Sequence, residues 1–298
     1  MLLSKQRAMS ATSTIPLTDP ISASTRCALL KLLADEDPVV YRTVRRKIIS
    51  YGPETIPWLR EHKLSDDPAL RRRSQEIVRH FARQTADTRF LGFILQHGEE
   101  LDIEEGSWLL AQTEYPEVNV AGYRALLDFY AADLNERIDL AREPKDILSR
   151  MNAYIFQELG FRGNEKNYYD AENSYLNRVL DRRTGNPISL CLLYMLLAKR
   201  LRLPITGIGL PGHFICRFQS SASEVYVDAF NGGSFMTKAD CVQYLVQGNY
   251  GLKEDCLAPV SPRRMLLRSC GNLHQIYLQL EQTEETTRIQ RYLVALAR

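Results

Sequence analysis

From Asn186 and Pro187 the chain continues as ISLCLLYMLLAKRL, with apolar side chains on every face for about three helical turns. Asn caps free amides well, and proline at the first helical position loses no hydrogen bond, so the helix starts here. A helix apolar all round is stable only when protein surrounds it. The segment therefore predicts the central helix of its domain, emerging at Lys199, Arg200 and Arg202.

Three short β-like runs follow: PITGIGL, HFICRF and EVYVDAF, separated by a Pro-Gly step and by SSAS. Alternation in the last two predicts antiparallel strands with one covered face. GGS at 232–234 reads as a turn, and Lys238 to Gln247 as a helix. Elsewhere the periodicity is helical. CALLKLLADEDPVVYRTVRRKIISYG predicts two helices broken at Asp37-Pro38, and the DP-helix rhythm recurs at DDPALRRRSQEIVRHFARQ, resembling a HEAT-like array. Helices are also expected over Glu99 to Ala111 and Gly122 to Leu134, with NAYIFQELGF stopping at Gly160 and Gly163. GNEKNYYDAENSY reads as an ordered surface loop, and the last 38 residues as a helical hairpin after the APVSPRR link. The expected class is α+β, with a small antiparallel sheet in a mostly helical chain. The expected divisions are a disordered lead-in at 1–25, a HEAT-like segment at 26–95, a core at 96–260 and a hairpin at 261–298.

Among 298 residues the 38 basic and 36 acidic side chains leave a net charge of +2, which gives no global reason to invoke nucleic acid or an anionic membrane. The run Arg71 to Arg73 reads as a solvated helix face. No apolar run approaches the roughly 20 residues needed to span a bilayer, and the N-terminus lacks a signal-peptide core, so the expectation is cytoplasmic and not membrane-bound. Six cysteines without CxxC or metal-ligand spacing predict reduced thiols, no disulfide framework, no metal site and no cofactor.

Cys191, His213 and Asp228 stand in the order of a thiol triad. Cys191 has two readings. It could be a nucleophile, but it lies five residues beyond Asn186, past the free amides that lower a thiol pKa. The favoured reading is a small core residue on the face of Ile188, Met195 and Ala198. His213 follows a Pro-Gly turn, and Asp228 lies 228 − 213 = 15 residues on, as expected for neighbouring antiparallel strands. An Asp accepting from one ring nitrogen would fix the tautomer and turn the other nitrogen toward the helix start. Asn173, Ser174, Asn177, Arg182 and Arg183 crowd before the helix, where they either line a polar cleft or cap helices and satisfy loop amides.

The strings FRGNEKNYYDAENSYLNRVLDRRTGNPISL, GLPGHF and VDAFNGG together resemble the SirB family of bacterial transglutaminase-like proteins, over roughly residues 105 to 298. The resemblance implies a papain-related transglutaminase-like core, with a central buried helix on a small antiparallel sheet and a tetratricopeptide-like C-terminal tail. In active members the nucleophilic cysteine opens the central helix, and histidine and aspartate follow on successive strands. His213 and Asp228 match those positions. Aligning LAKRLRLP with the family's helix end puts the nucleophile slot near Pro187, one turn before Cys191 and close to Ser189. The implied protein is catalytically degenerate, a protein- or peptide-binding module whose cleft includes Asn173, Ser174, Asn186 and Ser189. The alternative is a cysteine hydrolase or acyltransferase using Cys191, His213 and Asp228.

Overall fold

The computed structural model of the chain describes residues 21–250 and 256–298. The expected disordered lead-in therefore lies, as far as residue 20, outside the described residues. The chain divides into two compact units, Met1–Phe81 and Ala82–Arg298.

In the first unit, α1 (Ala23–Leu33) is capped by Ser22, and α2 (Pro38–Tyr51) by the Asp37 side chain with Pro38 at the first position. The short α3 (Ile56–Glu61) follows, and then α4 (Pro68–Gln96), which contributes residues to both units. Leu33, Val44, Ile48, Trp58, Leu59, Ile77 and Phe81 form this unit's core. The arginine run is not simply a solvated face. Arg73 donates to the carbonyls of Leu33 and Asp35, closing the open end of α1, and its guanidinium stacks over Tyr41.

The second unit continues with α5 (Ile103–Glu114), α6 (Val120–Asn135) and α7 (Pro144–Asn152). α5 begins later than the sequence reading placed it because the Asp102 side chain accepts from the Glu105 amide and fixes the start. α7 runs into one wide turn, Ala153–Glu158, whose 159 amide reaches back to Tyr154. Two residues of β1 (Arg162–Gly163) pair in parallel with β2 (Thr184–Gly185), and between them lies α8 (Leu176–Arg182). The intervening loop is ordered but not confined to the surface, since Asn173 and Tyr175 are buried within it.

α9 (Pro187–Arg200) is the helix expected from its composition, with eleven of its residues buried. It packs on a four-stranded antiparallel sheet in the order β3 (Ile205–Leu210), β4 (His213–Gln219), β5 (Glu224–Asp228) and β6 (Ser234–Met236). Phe214, Cys216, Phe218 and Val227 face the α9 core. The other face is covered too: Ile208, Leu210, Ile215 and Tyr226 pack with Cys241 and Leu245 of α10 (Lys238–Gln247). The expectation of a single covered face is thereby corrected, because α10 folds back over the strands that precede it. The supposed GGS turn likewise ends at Gly233, and Ser234 opens β6.

The helical hairpin α11 (Pro262–Gln279) and α12 (Thr283–Leu296) completes this unit, packing with Phe90, Ile94 and the Leu110–Ala111 region. Arg263 is buried where three segments meet, and its guanidinium donates to the carbonyls of Ile94, His97, Ala295 and Leu296. One fixed cation thus satisfies the carbonyl ends of both α4 and α12, where cations are favoured. The result is a mixed helix-and-sheet structure in which α9, the sheet and the 162–186 loop meet at one end.

Candidate functional site

β4 begins directly after the Pro211–Gly212 turn, which aims the His213 ring back along the sheet. Its Nε2–H donates to Asp228 Oδ2 at 2.7 Å, so the ring tautomer is set and Nδ1 is left with no partner among the described residues. Asp228 is nearly enclosed. Its carboxylate also accepts from the amides of Phe230 and Asn231 and from Asn231 Nδ2. Burial alone would raise its pKa, but the hydrogen bonds from His213 and Asn231 outweigh burial and hold the carboxyl below its ordinary value.

The turn after Asp228 is held from elsewhere. Asn152, at the end of α7, donates to the Gly233 carbonyl at 2.6 Å and accepts from Tyr194 of α9 at 2.9 Å. Gly233 has φ of +80°, and a Cβ there would lie 2.5 Å from Asn152 Cγ, so the position requires glycine twice over. The turn before His213 is held by Arg268 of α11, whose Nη2 donates to the carbonyls of Leu210 and His213 at 2.8 and 2.9 Å. Phe230 and Tyr244 flank the His213 ring, each at 6.2 Å between centroids. Neither Asn152 nor Arg268 was singled out from the sequence, since their partners lie 81 and 55 residues away.

Cys191 has no solvent exposure and makes no hydrogen bond to His213. Its thiol donates to the Phe214 carbonyl at 3.4 Å, one residue past the histidine. Burial first, then the adjacent Cys216 thiol and the Asp228 charge, push the Cys191 thiol pKa well up. It is therefore a thiol rather than a thiolate at neutral pH, in the surroundings of an inert structural cysteine. Ser189 is buried, its hydroxyl accepting from the Asn186 amide at 3.0 Å while the Asn186 side chain accepts from the Ser189 amide at 3.0 Å. This reciprocal box consumes the groups that would bind or activate a nucleophile there.

The four polar residues expected to line a cleft are brought together, but their polar atoms face one another and the loop. Asn186 Nδ2 donates to Ser174 Oγ at 2.9 Å, and Asn173 Nδ2 donates to the carbonyls of Asn167 and Tyr168. Asn164 Nδ2 in turn donates to Asn173 Oδ1 at 2.9 Å. This network fastens the 164–174 loop to the start of α9. The open space lies beside it, in a cleft of about 750 Å³ whose lining includes Arg162, Asn164, Glu165, Lys166, Thr184, Phe230 and Asn231. Neither Arg162 nor Lys166 has an ion pair among the described residues. Asn231 joins this cleft to the His213–Asp228 pair. Among the described residues no three His, Cys, Asp or Glu side chains are placed to hold a metal ion, and no helix is long and apolar enough to cross a membrane.

Comparison with known proteins bears on the same region. A UPF0162 protein of Xylella fastidiosa is 33% identical over 197 residues, covering 64% of this chain and 70% of that protein. A UPF0162 protein of Vibrio cholerae is 30% identical over 139 residues, 45% of this chain and 50% of the relative. Human F-box only protein 21 is 34% identical over 139 residues, 43% of this chain but 21% of that longer protein. No solved structure matches. The family profile that matches, that of the Transglutaminase-like superfamily, spans residues 121–271 and so takes in α9, the whole sheet, His213, Asp228 and the clamp at Arg268. On that match, which covers half of its length, the chain belongs to the transglutaminase-like superfamily.

Proposed function

We propose that the chain is a catalytically degenerate transglutaminase-like protein that binds a protein or peptide in the cleft beside Asn231. The observation that carries this reading is the start of α9: Pro187 and the Asn186–Ser189 box occupy the nucleophile slot, and Cys191 lies one turn deeper with its thiol bonded to the Phe214 carbonyl. A cleft of about 750 Å³ is in the size range of a ligand site, and Arg162 and Lys166, which outnumber its one acidic side chain, Glu165, suit acidic or carbonyl-rich peptide. The recurrence of a similar 139-residue segment within the longer F-box only protein 21 supports a transferable module. In its finer assignment this is a SirB-type member in a cytoplasmic setting, with α9 on the sheet as a papain-related core. α1–α4 then form a HEAT-like flank and α11–α12 a tetratricopeptide-like hairpin, both of kinds that present recognition surfaces.

A peptide-display selection on the full chain, repeated with Arg162→Glu and with Lys166→Glu, tests the reading. The expected result is enriched sequences whose binding either variant abolishes. The opposing reading, a thiol hydrolase or acyltransferase, draws on one observation: the oriented His213, whose Nδ1 has no partner among the described residues. Turnover of glutamine-amide or ester substrates that is lost in both Cys191→Ala and His213→Ala would replace the binding proposal with that one.

A further inference from the structure

A second cleft, of about 470 Å³, lies between β3 and the C-terminal hairpin and is lined by Glu99, Gly209, Val260, Arg264, Arg268 and Arg298. It shares no lining residue with the cleft beside Asn231. Arg264 and Arg268 sit one turn apart on the same face of α11, a spacing at which like charges repel. They also stand in its first two turns with no acidic residue in the first turn, although the positive end of a helix disfavours cations. Neither arginine has an ion pair among the described residues. The neighbouring Arg263 does not share this condition, because carbonyls take up its guanidinium.

Geometry keeps these cations available. Arg268 uses Nη2 on the Leu210 and His213 carbonyls, leaving Nε and Nη1 without partners among the described residues. A Cβ at Gly209 would lie 2.8 Å from Arg268 Nη1 and 3.0 Å from Val260, so glycine there leaves the guanidinium its room. The single acidic side chain lining the cleft, Glu99, accepts from the Ser261 hydroxyl and stands among three arginine side chains.

We propose that this cleft binds a small phosphomonoester. Its phosphate, close to dianionic at neutral pH, balances the two unpaired charges of Arg264 and Arg268. Guanidinium forks match the tetrahedral oxygens of such a group. A volume of about 470 Å³ exceeds what a bare ion fills and leaves space for the rest of a small metabolite. Burial lowers the pKa of Arg268, and a bound anion offsets that penalty.

The test is calorimetric titration of the full chain with inorganic phosphate and with glycerol 3-phosphate, at an ionic strength held constant with sodium chloride. The expected result is saturable binding of both, tighter for the ester. Arg264→Gln, which removes an exposed side chain and no clamp, should weaken both by roughly tenfold. Arg268→Lys should weaken both as well, while Lys238→Gln, an exposed position in the first turn of α10, should change neither. Absence of saturable heat, equal binding by Arg264→Gln and wild type, or equal loss in Lys238→Gln overturns the proposal. Binding of inorganic phosphate without the ester overturns the assignment to a monoester.

Discussion

His213 and Asp228 meet on a diagonal across two antiparallel strands rather than face to face. The register that pairs Cys216 with Val227 sets Asp228 opposite Ile215, two residues along β4 from the histidine. The 2.7 Å bond between Nε2 and Oδ2 spans that offset, so it depends on both turns that bracket the strands. The pair is intact although the Cys191 thiol is bonded to the Phe214 carbonyl instead of to the histidine.

Thiol accessibility should follow burial and not triad order. Cys27 is exposed and Cys256 partly so, whereas Cys191, Cys216, Cys241 and Cys270 are buried. Alkylation of the native chain at neutral pH, read by mass spectrometry, should label Cys27 and Cys256 and spare Cys191 until denaturant is added. Rapid labelling of Cys191 that depends on His213 would sink the degenerate reading.

Acid stability should report Asp228. Its carboxyl lies below the ordinary value of 3.8, so its contribution is complete above that value and is lost as pH falls through the folded-state pKa. Urea unfolding, followed from neutral pH down through the carboxylate range, should show a shallower acid limb in Asp228→Asn than in wild type. Parallel acid limbs would mean that the network around Asp228 does not favour its ionised form.

The glycine turn should be intolerant. Gly233→Ala places a side chain at φ of +80° and 2.5 Å from Asn152 Cγ, so a loss of about 2–4 kcal/mol is expected. Asn152→Ala removes two buried hydrogen bonds and should cost about 2–4 kcal/mol. Because both changes break one contact, a double-mutant cycle by thermal unfolding should give less than their sum. Strict additivity would disprove the coupling.

Arg263 should be irreplaceable by lysine. Its planar fork reaches four carbonyls from two helix ends, and an ammonium cannot span them. Arg263→Lys and Arg263→Met should each lower stability by about 3 kcal/mol or more in chemical unfolding. A lysine variant as stable as wild type would show the fork geometry to be dispensable.

The elements that could be read from the sequence are those whose signals are local. Asp37-Pro38 and Asn186-Pro187 mark helix starts because cap and proline act on adjacent amides. The hairpin carrying His213 and Asp228 was legible because 15 residues suffice for two strands and a turn. β6 was not, since three residues give no alternation to detect. The second covered face was not, because nothing within β4 states that α10 will fold over it. The polar residues before α9 close their hydrogen bonds on one another and the loop, and Arg162, Lys166 and Asn231, which carry no local signal, line the open space.

The clamp from Arg268 carries a consequence for any shortened form of this chain. The C-terminal hairpin supplies no group to the His213–Asp228 pair, yet its guanidinium pins both carbonyls that bracket the Pro211–Gly212 turn. A truncation before Pro262 would leave every candidate residue in place and still release the histidine's backbone. Such a fragment would keep the His213 and Asp228 side chains and lose the brace on their backbone, and the tail acts as the splint of a joint it does not form.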